Sequence, residues 1–168
     1  PVQVTCPLAT AMPAVPSTGG NSVVTGNTAC SAPAQAVPTC TTTLNSANGI
    51  WHTFTPPCGG SVVFNTCTGT TYDSKIGVFT GSCTALTCVA GNDDGCGAQS
   101  SVTVTVAPAT TYYVYVTGFG AGSGAYTLTA AFTPDVCTCT NNPLSASFQP
   151  ADITVCPYEP FTGSLQIV

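Results

Sequence analysis

The chain has 168 residues, and only 4% of them are charged, against roughly 25% in ordinary soluble proteins. Lys75 is the whole basic complement. Phosphate backbones and anionic lipid surfaces are bound by clustered Lys and Arg, so nucleic acid and charged membrane surfaces are excluded as partners. No run of about 20 apolar residues occurs, and no membrane insertion is expected.

Residues 1–48 are rich in Pro, Thr, Ala and Cys, with short strand candidates at 2–5 and 22–25 and no helical period. From Ile50 the text becomes regular. Residues 50–55 (I-W-H-T-F-T) alternate and stop at Pro56-Pro57, and residues 61–66 follow the Gly59-Gly60 turn. Residues 75–80 and 86–90 come next, separated by a turn at 81–85. In Ser101–Val106 the three valines point one way and Ser101, Thr103 and Thr105 the other. Residues 111–117 are aromatic and β-branched, and 126–132 alternate through Tyr126, Leu128, Ala130 and Phe132. Turn clusters lie between these runs, at 92–97, 108–110 and 118–124. Short strands at such spacing predict an all-β, antiparallel sandwich or jelly-roll-like fold.

After Pro134 the pattern stops at Cys137, Cys139 and the Asn141-Asn142-Pro143 turn. Two strand candidates follow, at 153–156 and 164–168, carrying Ile153, Val155, Leu165 and Ile167. About 25 residues cannot form a domain of their own. The expected organisation is a sandwich over 1–134 with a Cys- and Pro-rich N-terminal extension, then a linker and strand segment over 135–168. The terminal strands, with Val2 and Val4 at one end and Ile153, Val155, Leu165 and Ile167 at the other, need a sheet edge on this copy or a neighbouring one.

Eleven cysteines without a CxxC pair, and with His52 as the sole histidine, point to disulfides in an oxidising space. Pro1 is no initiator, so the chain is read as a processed, extracellular or cell-surface product. Cys83 and Cys88 flank a short turn and are candidates for a local bridge, and Cys67–Cys96 would pin two loops together. The odd count leaves one thiol free or paired with another chain. Asn-x-Ser/Thr sequons are absent, while 30 Thr and 13 Ser offer O-glycosylation sites.

The text W-H-T-F-T-P-P-C, N-T-C-T-G-T-T-Y-D-S-K-I-G-V-F-T-G-S-C, G-N-D-D-G-C-G-A-Q-S-S-V-T-V-T-V and T-T-Y-Y-V-Y-V-T-G-F-G-A-G-S-G-A-Y-T-L-T resembles, in order, the bacterial pre-peptidase C-terminal domain family over residues 51–132. The resemblance implies a non-catalytic β-sandwich module of a secreted enzyme or surface protein, with calcium used by some related collagen-binding modules. His52 stands where a Tyr is usual, and Ile50 lacks the acidic residue often found just before it.

Asn92-Asp93-Asp94-Gly95 reads as a turn, or, with Asp73, as a calcium site built from clustered oxygens. Tyr112, Tyr113, Tyr115, Phe119 and Tyr126 read as core, or as a platform for sugar or protein. No nucleophile, base and orienting group stand together, so no enzyme is expected. Surface chemistry and the terminal strands favour a structural subunit that polymerises with copies of itself. The rival is a polysaccharide- or protein-binding accessory module of a secreted hydrolase or adhesin.

Overall fold

A computed structural model describes residues 5–31, 36–135 and 137. Nine strands follow in chain order: β1 (Thr10–Ala11), β2 (Gly20–Asn27), β3 (Gly49–Phe54), β4 (Gly60–Asn65), β5 (Ser74–Ser82), β6 (Ala85–Asp93), β7 (Ser101–Val106), β8 (Tyr112–Gly118) and β9 (Ala125–Pro134). They form two sheets, ordered β1-β3-β8-β5-β6 and β2-β9-β4-β7, with every pairing antiparallel except β1 on β3. The fold is an all-β sandwich, as the strand spacing predicts. Among the described residues no helix is long and apolar enough to cross a membrane.

The period-2 patterns supply the inner faces. Val62, Phe64, Leu128, Ala130 and Phe132 from one sheet meet Phe54, Ile76, Val78, Val114 and Val116 from the other. Full burial of side chains of this size contributes about 1.5–3 kcal/mol each. The five-stranded sheet is covered on its outer face as well, where Trp51, Phe79 and Tyr115 pack with Leu44, Cys6 and Cys40 into a second, smaller core. The N-terminal segments therefore roof one sheet. Tyr115 donates its hydroxyl proton to the Asn45 carbonyl (2.9 Å) to hold that roof down.

Among the described residues four disulfides join Cys6 to Cys83, Cys40 to Cys88, Cys58 to Cys137 and Cys67 to Cys96. The local bridge expected between Cys83 and Cys88 does not form. Cys83 sits in the tight turn between β5 and β6, while Cys88 lies along β6. Five residues of extended strand span about 16 Å, and a disulfide needs Cα atoms within about 7 Å. Both cysteines instead fasten the roof, through Cys6 and Cys40.

Candidate functional site

At one end of the sandwich, β5 starts and β6 stops. Lys75 faces Asp93 across this pair, and Lys75 Nζ lies 2.7 Å from Asp93 Oδ2. Thr42 Oγ1 and the Thr43 carbonyl accept from the same ammonium, and the Phe119 ring lies 4.7 Å below it. The lone cation is 7% exposed. Asp73, Asp93 and Asp94 bring carboxylate oxygens within 4.8 Å of one another. Oδ1 of Asp73 and Oδ1 of Asp93 are buried without a hydrogen-bond partner among the described residues. Burial first, then the negative charges of Asp93 and Asp94, raise the Asp73 pKa above its ordinary value, while Lys75 works against them.

Three of the four predicted metal ligands thus converge. The Oδ1 of Asn92, the fourth, accepts from the Ser101 N–H (2.9 Å). This stretch is not simply a turn. Asn92 and Asp93 close β6, and the bend begins at Asp94, whose φ is 65°. The Cys67–Cys96 bridge ties the loop before Asp73 to the loop after Asp94. Three oxygen ligands beside one ammonium form a negative pocket of the oxygen chemistry that hard cations use.

The aromatic platform does not exist. Tyr112 lies in the inter-sheet core, Tyr115 lies under the roof and Tyr113 packs against it. Tyr126 is buried, and Phe119 alone stands out, at 56% exposure.

The second feature lies on the opposite edge. β6 and β7 close one side of the sandwich by lying against each other. On the other side β2 and β3 leave a cleft of about 520 Å³, lined by Val24, Gly26, Ile50, His52, Tyr126 and Cys30 among others. Its floor is bridged where His52 Nε2 meets the Tyr126 hydroxyl at 2.6 Å. Burial lowers the His52 pKa to about 4, the Thr10 backbone acting weakly the other way, and burial raises Tyr126 well above an ordinary phenol. Both partners are neutral at pH 7, so this hydrogen bond carries no charge. β2 reaches this close because Gly26 has no side chain; a Cβ there would run into the Tyr126 ring.

β2 itself is an open edge. Thr25 faces Thr127 on β9, whose N–H turns away from β2 to donate to Thr70 Oγ1 (3.3 Å). Three pairs along, the Thr28 N–H donates to the Gly124 carbonyl. Antiparallel pairs alternate between bonded and non-bonded, so even-numbered residues of β2 bond β9. Val23 and Thr25 therefore present their N–H and C=O groups outward, without a partner among the described residues. On the facing sheet β1 covers only His52 and Thr53 of the β3 edge.

Sequence patterning does not reveal this cleft, since Val23, Thr25 and Cys30 belong to no chemical motif. The one available signal is the uncharged run G-N-S-V-V-T-G-N. The terminal-strand positions Val2, Val4, Ile153, Val155, Leu165 and Ile167 lie outside the described residues.

No protein-family model and no curated protein matches the chain. Among solved structures, the chain is similar to PliG of Aeromonas hydrophila, a periplasmic lysozyme inhibitor of g-type lysozyme, at 14% identity and a TM-score of 0.47, over 74% of this chain and 97% of that one.

Proposed function

We propose that this protein is a non-catalytic extracellular structural subunit, one block of a surface fibre or sheath whose copies join through terminal strands. The observation that carries the reading is β2, an eight-residue edge strand without a charge or a proline. Proteins that must stay monomeric blunt such edges with Lys, Pro or bulges. From Val23 to Asn27 the strand carries no Lys, no Pro and no break in its register with β9. With a formal net charge of −5 spread over 168 residues, copies repel one another weakly. Four disulfides suit a protein that works outside the reducing cytosol.

The resemblance of residues 51–132 to the pre-peptidase C-terminal domain family supports a module of a secreted or surface protein. The state of His52 supports the non-catalytic part of the reading. This sole histidine is buried on Tyr126 and is a weak base at neutral pH. Electron microscopy of the native, unreduced protein tests the proposal. Regular filaments with a repeat near one sandwich are expected. Dispersed single particles would overturn it in favour of the accessory-module alternative.

A further inference from the structure

Resting on that reading, we infer where the copies join: the cleft between β2 and the β1/β3 edge receives a strand from segment 153–168 of a second copy, which hydrogen-bonds to β2 along Val23 to Asn27. Three observations fit this occupant. The first is the pattern of bonding groups. The outward N–H and C=O groups of Val23 and Thr25 form a ladder without a partner among the described residues, and an added strand is the partner that satisfies alternate residues of an edge. A small molecule would not reproduce that spacing.

The second is length and apolar period. Segment 12–16 covers the start of β2, with Met12 and Val15 buried in the core and the Pro13 carbonyl accepting from Ser22 Oγ. The open stretch is thus the five residues from Val23, about 17 Å of strand. Segment 153–168 holds two alternating apolar runs, Ile153 with Val155 and Leu165 with Ile167. A strand laid on β2 turns one such pair toward the apolar floor at Val24 and Ile50.

The third is charge and reach. The cleft lining has no acid and no Lys or Arg, and its His52 is neutral. Neither candidate strand carries a charge, since Glu159 falls between them. Cys58 anchors Cys137 at the Gly59 end of the sandwich. Fifteen residues, 138–152, then precede Ile153 and span up to about 50 Å extended, enough to leave one sandwich for the next.

Two full-length variants test the joint. Val23→Pro/Thr25→Pro removes the two outward N–H groups and leaves the β9 ladder intact. Ile153→Asn/Val155→Asn/Leu165→Asn/Ile167→Asn removes the apolar faces of the strand. Each variant alone should be monomeric by analytical ultracentrifugation, and the two mixed should form a 1:1 heterodimer and stop there. Val23→Thr/Thr25→Val, which keeps both N–H groups, should polymerise like the wild type.

A mixture that stays monomeric would show the segment bound to its own copy or unused, and variants that polymerise normally would place the joint elsewhere. Either outcome overturns the inference while leaving the fibre reading standing. A wild type that stays monomeric at every concentration overturns the fibre reading itself. One measurement needs no variant. Cys30 is a free, exposed thiol on the cleft, so its maleimide labelling, read by peptide mass spectrometry, should slow about tenfold or more in assemblies relative to dispersed subunits. Equal labelling rates would overturn the proposal.

Discussion

His52 Nε2 and the Tyr126 hydroxyl, 2.6 Å apart and 74 residues apart in sequence, form a buried neutral hydrogen bond between the two sheets. The burial of His52, which disfavours its charged form, makes stability depend on pH. His52 has a folded pKa of about 4 against 6.5 when free, so the unfolded chain binds the extra proton first. This contribution is complete above pH 6.5, falls as pH drops, and is exhausted near pH 4, a total of about 3 kcal/mol. Urea midpoints measured across this window should rise with pH. His52→Gln should flatten the rise, and an unchanged slope in that variant would refute the assignment.

Lys75 carries the chain's one trypsin site, and it lies within β5 with its ammonium enclosed by Asp93, Thr42, Thr43 and Phe119. The native protein should resist trypsin for hours and be cut once after reduction and denaturation. Rapid native cleavage would mean that β5 opens locally. Lys75→Met should lower the melting temperature, because it leaves the three carboxylates without a counter-charge.

The acid triad makes a prediction whose sign depends on an ion. In EDTA, Asp73→Asn should raise the melting temperature, since it relieves repulsion from Asp93 and Asp94. If the triad takes calcium, millimolar calcium should stabilise the wild type and reverse that order. If it does not, the order stays the same in both buffers.

Cys40→Ser/Cys88→Ser should cost about 2–4 kcal/mol and loosen the roof over Trp51. Trp51 is the only tryptophan and is fully buried. Its emission should shift to the red well before the inter-sheet core unfolds. A coincident transition would show that the two cores unfold as one unit.

Much of the sandwich was legible in the sequence because strands with one buried face must alternate. Ser101–Val106 has the same bounds in both readings. Where alternation was lost, so was legibility. β1 is two residues, Thr10 and Ala11, and is fixed by its place beside His52 and Thr53 rather than by any pattern of its own. Asn92 and Asp93 have turn-forming side chains, yet the ladder to Lys75 and Ile76 keeps them in β6. The carboxylates could be grouped from sequence because Asp73 stands just before β5 and Asp93 ends the neighbouring β6. The cleft could not, because it arises from what β2 lacks on its outer side, and sheet order is a property of the whole topology.

The disulfides overlap as well as crosslink. Their spans, 6–83, 40–88, 58–137 and 67–96, leave no peptide bond between Cys6 and Cys137 outside every loop. Any single nick in that stretch therefore breaks the backbone without releasing a fragment. On a non-reducing gel such a molecule keeps its full mass, and the damage becomes visible only when a reductant separates the pieces. Against an extracellular protease, the sandwich is a covalent network that must be cut at least twice before any part of it is lost.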